Sequence, residues 1–561
     1  MSIVRVIPLP VGLAFLAVSA MFTPARSLTA APTAASASAP AMAGWSHIGG
    51  DAGMTKYCPD NIPAGELKQD YVKRFHSGWT QEAKPSPNYH YASAVLIRAG
   101  TAAVFTNDAP KKYVYWSDGV ALTLFNWSTG RTTAKTDAPG GLGMKNDPLR
   151  NYSLHVGQHH GEIDSHHYTN SVFWGDDGRL YAKRGGDHFC EAAYDPAAGK
   201  WGRLEVLKCS PNHRNWGGDA NAFLTGWRDL VVYCPGDTRN DSTYIAVDAS
   251  EAAWKAGAQG AWKMDIGPYL PEKNKKGNSN FLRFCDYPKI SPSGAAVVAG
   301  QFLDDAGNLK MCLQATSLAD GKRMWDAQYD DAGRSNFGAA APAYWWHSKE
   351  HAGFSAYYFP VGRVADYWRF IVTDDLYIFY NGAQAQTIRA AGIKDGKEKW
   401  TREVGEDHPA LACHGGFLYV VGDRGQMKLD LRQGGKAVWF EHNKFAGDAG
   451  YVMGGEDPVY RPMVLTDDTL WFIDGSCISE HHRLVGMRTS DGRVVQTIDL
   501  AALVAKKPGE RLLAVNDLAA SEGRLGVLIG VRSEGDPHAA EKCNRIIYQD
   551  LYVFSSGSRR D

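Results

Sequence analysis

The sequence lacks the short motifs that mark most nucleotide-dependent, metalloprotease and hydrolase active sites. GxGxxG after a β-rich run, GxxxxGKS/T, HExxH, GxSxG and the EF-hand loop pattern are all absent. Each of these motifs supplies a particular backbone cradle, metal ligand or nucleophile at a set spacing. Their absence argues against nucleotide-driven chemistry, zincin proteolysis and α/β-hydrolase chemistry.

The chain also lacks an excess of charge of either sign. Lys and Arg total 60 against 61 Asp and Glu, for a net charge of −1 at pH 7. A nucleic-acid partner requires a basic field, so we expect none. No run after residue 30 is long and apolar enough to cross a bilayer, which predicts no membrane span in the mature chain.

Cysteines are present, but they lack the spacings of metal and haem sites. None of the nine stands in CxxC or CxxCH, which argues against thioredoxin-like sites, zinc ribbons and c-type haem attachment. In an exported protein they can form disulfides, and the sequence does not fix their connectivity; the pairings considered are Cys190 with Cys209, Cys285 with Cys312, and Cys477 with Cys543. The odd number leaves at least one thiol free, unless one bridge is intermolecular.

The N-terminus has the pattern of a secretory signal. Arg5 precedes the mostly apolar stretch 6–22, and small residues follow, with cleavage sites after Ala25 or Ala30. We assign residues 1–30 to a signal peptide, with an uncleaved anchor as the alternative. Residues 31–44, rich in Ala, Ser and Pro, are expected to form a tether. The predicted localisation is therefore periplasmic or secreted.

A short phrase recurs in the second half of the chain. It reads DGKRMW at 320–325, DGKEKW at 395–400, GGKAVW at 434–439 and DGRVV at 491–495. Elsewhere, short β-rich runs alternate with Gly, Asp and Asn turns, which is typical of an all-β protein. Repeats of this kind predict a single β-propeller of seven or eight four-stranded blades.

The repeats resemble those of pyrroloquinoline-quinone (PQQ) type propellers, in the phrases LQATSLADGKRMW, IRAAGIKDGKEKW and MKLDLRQGGKAVW. The opening WSHIGGDAGMTKYCPDNI resembles their first strand. The resemblance covers most of the chain and is strongest over 310–500. It implies an eight-bladed propeller of the quinoprotein alcohol dehydrogenase-like superfamily over residues 45–556, followed by a tail at 557–561. That superfamily includes PQQ-dependent dehydrogenases and cofactor-free scaffolds.

The chain departs from the dehydrogenases of that superfamily. It has no adjacent Cys-Cys pair of the kind that many of them place over the quinone, and no calcium-ligand set that can be matched. PQQ is therefore less favoured as a cofactor than a divalent metal, zinc or calcium. Because one fold hosts many functions, the resemblance predicts the architecture more strongly than the activity.

Histidines are concentrated in one part of the sequence. Six of the 18 lie between residues 155 and 188. Clustered imidazoles suit proton transfer or metal binding. His160, Asp164 and His166 are the candidate ligands for a divalent metal, and the alternative is that these are ordinary surface-loop residues.

The stretch HHYTNSVFWGDDGRLYAKRGGDH, residues 166–188, resembles the two-histidine blade of propeller-fold polysaccharide lyases. The resemblance implies His167 and His188 as catalytic residues, one of them the base that removes the proton beside a uronate carboxylate. Arg184, or a metal held by the other histidines, would stabilise the carboxylate as charge develops. The alternative is that both histidines are turn residues between ordinary blade strands.

Aromatic residues supply a further candidate site at Trp345, Trp346 and His347, because exposed Trp can stack on sugar rings. The alternative is inter-blade core. The groups Cys413-His414 and Glu480-His481-His482 are weaker candidates.

Together these features favour an exported propeller that binds or processes a polyhydroxylated or carboxylated, carbohydrate-like ligand in a funnel lined by histidine and aromatic residues. Three alternatives stay open: a polysaccharide lyase acting on uronate glycans, a PQQ-dependent dehydrogenase, and a non-catalytic scaffold for another envelope protein.

Overall fold

The chain divides into two compact units, Met1–Ala41 and Met42–Asp561, and every residue described below belongs to the second. The computed structural model describes residues 44–47, 49–60, 62, 65, 67–76, 95–106, 121–137, 172–184, 190–203, 224–233, 243–248, 260–265, 283–284, 288–303, 309–330, 370–381, 387–404, 410–422, 425–442, 452–453, 457–458, 462–475, 482–504, 510–533 and 548–556. The predicted signal peptide and the tail at 557–561 lie outside these ranges, as does the predicted tether apart from Gly44.

Antiparallel sheets account for nearly all of the described residues, and we number the strands along the chain and the sheets in the order of their innermost strands. The first two strands are β1 (Gly44–Trp45) and β2 (Leu67–His76). Sheet 1 joins β1 to β3 (Leu96–Arg98), β4 (Thr101–Thr106), β5 (Ala121–Asn126) and β6 (Thr132–Asp137). Sheet 2 consists of β7 (Val172–Trp174), β8 (Leu180–Arg184), β9 (Cys190–Asp195) and β10 (Lys200–Arg203). Sheet 3 consists of β11 (Leu224–Trp227), β12 (Leu230–Tyr233), β13 (Thr243–Asp248) and β14 (Gly260–Asp265).

Sheets 4 to 6 follow the same order. Sheet 4 contains β15 (Arg283–Phe284), β16 (Lys289–Ile290), β17 (Ala295–Leu303), β18 (Leu309–Ser317) and β19 (Arg323–Asp330), with β15 and β16 both paired to β17. Sheet 5 contains β20 (Phe370–Val372), β21 (Leu376–Asn381), β22 (Thr387–Gly392) and β23 (Glu398–Glu403). Sheet 6 contains β24 (Ala410–His414), β25 (Phe417–Val421), β26 (Gly425–Asp430) and β27 (Lys436–His442).

The last two sheets are reached through a small two-stranded hairpin, β28 (Val452–Met453) and β29 (Asp457–Pro458). Sheet 7 contains β30 (Met463–Leu465), β31 (Thr469–Gly475), β32 (His482–Arg488) and β33 (Val494–Asp499). Sheet 8 contains β34 (Glu510–Ser521), β35 (Arg524–Ser533) and β36 (Tyr548–Ser556), with β2 as its outermost strand.

Helix is scarce in the part of the chain that the structure describes. The segments found there are the 3₁₀ turn Leu431–Gln433 and α1 (Leu500–Val504). Neither approaches the length that a membrane-crossing helix requires, and no such helix is found among the described residues.

The innermost strands form a closed cycle. β3, β7, β11, β16, β20, β24, β30 and β34 each contact the next in this order, and β34 contacts β3. Meandering antiparallel sheets arranged in this way make a β-propeller, so the predicted all-β propeller fold is confirmed. The eight sheets in the cycle support the eight-bladed arrangement, which we propose on that basis.

An early strand, β2, pairs with the last strand, β36, in sheet 8. β2 pairs with β36 from Leu67 opposite Ser556 to His76 opposite Tyr548. The guanidinium of Arg74 binds the carboxylate of Asp550 through two hydrogen bonds of 2.9 and 3.1 Å. An early strand thus completes the last sheet, so two distant parts of the chain are joined in one sheet.

The recurring phrase forms the turn between the third and fourth strands of its sheet. Its aspartate accepts a hydrogen bond from the backbone two residues on, as in Asp395 with Lys397 N and Asp491 with Arg493 N, both at 3.1 Å. Its glycine adopts a left-handed conformation, with a φ of 62° at Gly396. The Asp-Gly pair is therefore selected by the turn rather than by a ligand.

The tryptophan of the phrase packs against the following sheet. Trp325 in β19 donates its indole N–H to Ile393 O at 2.7 Å, and Trp439 in β27 donates to Thr489 O at 3.0 Å. Since each strand presents alternate residues to opposite faces, both faces of a sheet are buried against neighbouring sheets. The core is consequently a series of apolar layers between sheets, such as the layer that joins sheets 4 and 5 through Leu313 and Phe379.

The structure describes some of the nine cysteines and leaves others outside the described residues. Cys58 and Cys413 are buried free thiols. Each expected bridge includes a cysteine outside the described residues, namely Cys209, Cys285, and both Cys477 and Cys543. Within the described ranges there is no disulfide bond, and the three pairings stay predictions.

Candidate functional site

Most of the residues that the sequence nominates for chemistry lie outside the described part of the chain. These are His160, Asp164, His166, His167, His188, Trp345, Trp346 and His347. For Arg184 the structure describes the backbone: it is the last residue of β8 and pairs with Cys190 of β9. The described strands nevertheless establish at which end of the propeller the flanking segments attach.

Residues 44–60, the crossing segment, run across one end of the cycle. In sheet 1, Trp45 pairs with Ile97. Five further backbone hydrogen bonds of 2.8–2.9 Å join the segment to innermost strands of sheets 2, 4, 5, 6 and 7: Trp174 N to Ser46 O, Ile290 N to Ala52 O, Val372 N to Gly53 O, Cys413 N to Thr55 O, and Leu465 N to Lys56 O. Four of these five donors are the last residue of their strand, so the segment covers the end at which the innermost strands finish.

The opening motif of the segment explains how it can follow this path. Gly49 and Gly50 have φ values of 72° and 94°. A Cβ added to Gly50 would lie 3.2 Å from the ring of Trp45. Asp51 accepts hydrogen bonds from Gly53 N at 2.9 Å and Thr55 N at 3.1 Å, and from the Thr55 hydroxyl. Burial raises the pKa of Asp51, and these hydrogen bonds act in the opposite direction.

His47 holds the segment against sheet 2. Its ring stacks on Phe173 with centroids 5.0 Å apart, and Phe173 stacks on Tyr181 at 5.1 Å. Its Nδ1 lies 2.9 Å from Ser46 Oγ. Burial lowers the pKa of His47 to about 3, so the imidazole is neutral at physiological pH and packs as an aromatic ring.

Tyr57 fastens the other half of the segment to sheets 6 and 7. Its ring lies parallel to His414 at a centroid distance of 3.4 Å, and its hydroxyl donates to Asp467 Oδ1 at 2.8 Å. His414 Nε2 is 3.4 Å from the same oxygen. Burial lowers the pKa of His414, while Asp467 raises it. The weaker candidate pair Cys413-His414 thus has a structural role, anchoring the crossing segment through Cys413 N and the His414 ring.

We call the covered end the crossing end and the opposite end, where the innermost strands begin, the start end. The short turns at 415–416 and 466–468 lie at the crossing end, as do the turns of the recurring phrase. The chain leaves β6 at Asp137 and enters β7 at Val172 at the start end, and it leaves β19 at Asp330 and enters β20 at Phe370 there too. The two ends therefore differ in kind: one has tight turns and a covering segment, and the other receives the long connections.

A metal centre is not formed by the described residues alone. Within those ranges no three His, Cys, Asp or Glu side chains converge as a metal site would require. The proposed ligands His160, Asp164 and His166 lie outside them, so this prediction stays untested.

Sequence reasoning missed the crossing segment. The signal was present in WSHIGGDAGMTKYC, where two glycines and an aspartate precede a Thr that can close a capped turn. We interpreted that stretch as a first strand only, and in the structure β1 covers just Gly44–Trp45.

Comparison with known proteins adds a distant likeness. The chain matches no protein-family model and no curated protein sequence. Among solved structures it is similar to BamB from Moraxella catarrhalis, at 12% identity over 88% of this chain and 99% of that chain, with a TM-score of 0.40. It is also similar to quinohemoprotein alcohol dehydrogenase from Comamonas testosteroni, at 11% identity over 92% and 81% with a TM-score of 0.34. A europium-containing methanol dehydrogenase gives 12% identity over 91% and 98% with a TM-score of 0.35. At such identities and TM-scores these likenesses assign neither family nor function, and the fold assignment rests on the sheets and their contacts.

Proposed function

We propose that this protein is an exported, PQQ-like β-propeller that binds a polyhydroxylated or carboxylated ligand of carbohydrate type at the start end. The observation that carries the proposal is the difference between the two ends. The crossing segment and the tight turns cover one end, and ligand sites of propellers are usually built from the longer connections at one face.

The residues nominated from sequence belong to connections whose flanking strand residues lie at the start end. His167 lies five residues before Val172, the first residue of β7, and His188 lies between Arg184 of β8 and Cys190 of β9. Trp345, Trp346 and His347 belong to the connection between β19 and β20, whose flanking residues are at the same end. We therefore propose that histidines and aromatics from different connections share one binding region.

Each group has a proposed task in that region. Trp345 and Trp346 stack on sugar rings, and His347 contributes a polar contact beside them. His160, Asp164 and His166 hold a divalent metal, zinc or calcium, which would balance the charge of an acidic ligand.

The more specific reading is lyase chemistry on a uronate glycan. One of His167 and His188 removes the proton next to the uronate carboxylate, and the electron pair expels the glycosidic oxygen at the adjacent carbon to leave a carbon–carbon double bond. Arg184 stabilises the negative charge that develops on the carboxylate, and a metal held by His160, Asp164 and His166 would supply the same stabilisation. We propose the binding function first and this reaction as its refinement.

The direct test combines metal analysis with calorimetric titration of the purified mature chain by acidic and neutral oligosaccharides. We expect bound zinc or calcium and preferential binding of the acidic oligosaccharide, with the binding reduced about tenfold or more by a Trp345→Ala and Trp346→Ala double variant. Ultraviolet absorbance of an unsaturated uronate product, lost in His167→Ala, would support the lyase reading.

His442→Ala is the matched control for His167→Ala, because His442 is an exposed histidine on the outermost strand of sheet 6. This control should change neither binding nor product formation. A purified chain that carries PQQ and oxidises alcohols, or one that binds no oligosaccharide and co-purifies with another envelope protein, would replace our proposal with the corresponding alternative.

A further inference from the structure

Strand β27, the outermost strand of sheet 6, has an exposed apolar centre. It pairs with β26 along one edge, and among the described residues no strand pairs with its other edge. Its residues 437–440 are four consecutive uncharged apolar residues, whereas the corresponding residues 323–326 of β19 and 398–401 of β23 include two charged side chains each. An edge with unpaired backbone groups and apolar side chains is a template for pairing with another chain.

The apolar side chains of β27 are accessible to solvent. Val438 is 50% exposed and Phe440 is 41% exposed, and they are two of the five large hydrophobic side chains that are exposed in the described part of the chain. The other three are on three different outermost strands: Val72 on β2, Met324 on β19 and Val494 on β33. Among these strands, β27 is therefore the one that presents two exposed apolar side chains close together.

The two charged residues that flank this centre stand on one face of the sheet. On β26, Asp430 is opposite Lys436 and Gln426 is opposite Glu441. Asp430 and Gln426 are four residues apart on a strand, so they share a face, and the residues opposite them share it too. The ladder passes over Val438, and this shift of one residue is why charged residues five positions apart are aligned.

The edge of β27 is complementary to itself. Two β27 strands can pair antiparallel about a twofold axis perpendicular to the sheet, which keeps each face of the sheet continuous. In one register of that pair, Lys436 of each copy is opposite Glu441 of the other, and Ala437 is opposite Phe440. Opposite charges directly across an antiparallel pair are favourable, and the charge pattern therefore favours a second β27 as the partner.

We propose that the free edge of β27 binds the β27 edge of a second copy of this chain and makes the protein a homodimer. The pairing supplies backbone hydrogen bonds for both edges, two ion pairs between Lys436 and Glu441, and apolar contacts for Val438 and Phe440. Two paired edge strands bury less than the area of about 1,200 Å² that is typical of a stable interface. The dimer is therefore weak, with a dissociation constant in the micromolar range.

The test combines sedimentation velocity with hydrogen exchange of the purified mature chain across the micromolar range. We expect a reversible monomer–dimer equilibrium and slower amide exchange in residues 436–442 at the high-concentration end. Val438→Lys should raise the dissociation constant about tenfold or more, because it places two like charges in the apolar centre. Met324→Lys is the matched control, since Met324 is 39% exposed and stands at the same ladder shift in β19, and it should leave the equilibrium unchanged.

Charge reversal tests the register. Lys436→Glu and Glu441→Lys should each weaken the dimer about threefold to tenfold, because each places like charges opposite each other at both ends of the pair. The double variant with Lys436→Glu and Glu441→Lys restores opposite charges, so its dissociation constant should return to within about twofold of the parent value. A rescue of this kind reports a contact between copies, because a loss of folded protein in either single variant would not be reversed by the second substitution.

Three results would overturn the proposal. They are a chain that stays monomeric across the micromolar range, a dimer whose protected amides lie outside residues 436–442, and a dimer that the double charge variant weakens as much as the single variants do. The proposed ligand site concerns the start end and does not depend on any of these results.

Discussion

The indole N–H of Trp325 donates to the carbonyl oxygen of Ile393 in the next sheet at 2.7 Å. The corresponding tryptophan of the next repeat, Trp400, has an indole nitrogen without a hydrogen-bond partner among the residues described. Its ring still packs on Gly435, 3.0 Å from where a Cβ would be. These two corresponding positions of the repeat differ in that hydrogen bond, and Trp325 is buried whereas Trp400 is half-buried.

Trp325→Phe should destabilise the protein more than Trp400→Phe. Both substitutions remove a similar volume, but only the first leaves a carbonyl oxygen, that of Ile393, without its donor. We expect the difference in free energy of unfolding to be about 1–2 kcal/mol, measured by urea denaturation of both variants. Equal losses would mean that packing, rather than the hydrogen bond, determines the contribution of the repeat tryptophan.

Gly396→Ala and Gly199→Ala separate backbone strain from crowding. Both glycines have a φ of 62°, so an alanine meets the same left-handed conformation at each. At Gly199 an added Cβ meets nothing within 4 Å, whereas at Gly396 it would lie 2.4 Å from Trp325 Cε3. We expect Gly199→Ala to cost about 1 kcal/mol and Gly396→Ala about 1–3 kcal/mol more.

The measurement for the glycine pair is the urea midpoint and slope of each variant against the parent. A loss at Gly396 no larger than that at Gly199 would show that the Trp325 ring moves aside without cost.

His47 should make stability depend on pH. Burial lowers the pKa of the folded imidazole to about 3, whereas an unfolded chain titrates near about 6.5. Between these values only the unfolded state binds the proton. Stability is therefore complete above about pH 6.5 and falls as the pH decreases toward about 3, by up to about 1.4 kcal/mol per pH unit.

His47→Phe, which keeps a ring against Phe173, should reduce that pH slope. The check is the difference between parent and variant in the free energy of unfolding, measured from about pH 4 to 7, since most contributions from carboxylates cancel in the difference. His442→Phe, at an exposed position, is the control for replacing a histidine by phenylalanine elsewhere in the chain. An identical slope in parent and His47→Phe would mean that His47 takes up a proton without leaving its place.

Much of the fold was predictable because its causes are local. The Asp-Gly phrase at 395–396 closes a turn through the Asp395 carboxylate and the left-handed Gly396, and both features follow from residue type alone. Repetition of that turn with alternating β-rich runs predicted four-stranded meanders in a ring. The resemblance to PQQ-type propellers added the expectation of eight blades, which the cycle of eight sheets supports.

The candidate site was less accessible from sequence. The histidine- and tryptophan-rich stretches were found by composition, and their roles stay predictions. Tyr57, His414 and Asp467 belong to no motif, yet their side chains meet at the crossing end. Their meeting depends on how sheets 6 and 7 lie beside each other, which residue types alone do not specify.

Local chemistry in the sequence therefore decided the turns, the strands and the repeating architecture, since a capped turn and a two-residue alternation involve only neighbours. The tertiary structure alone decided which end of the ring is covered, because residues 44–60 cross it through backbone hydrogen bonds to strands as distant in the chain as Leu465. Every residue type except proline has the same backbone N–H and C=O groups, so a path held by them leaves little trace in sequence. That path turns a symmetric set of sheets into a molecule with two different ends.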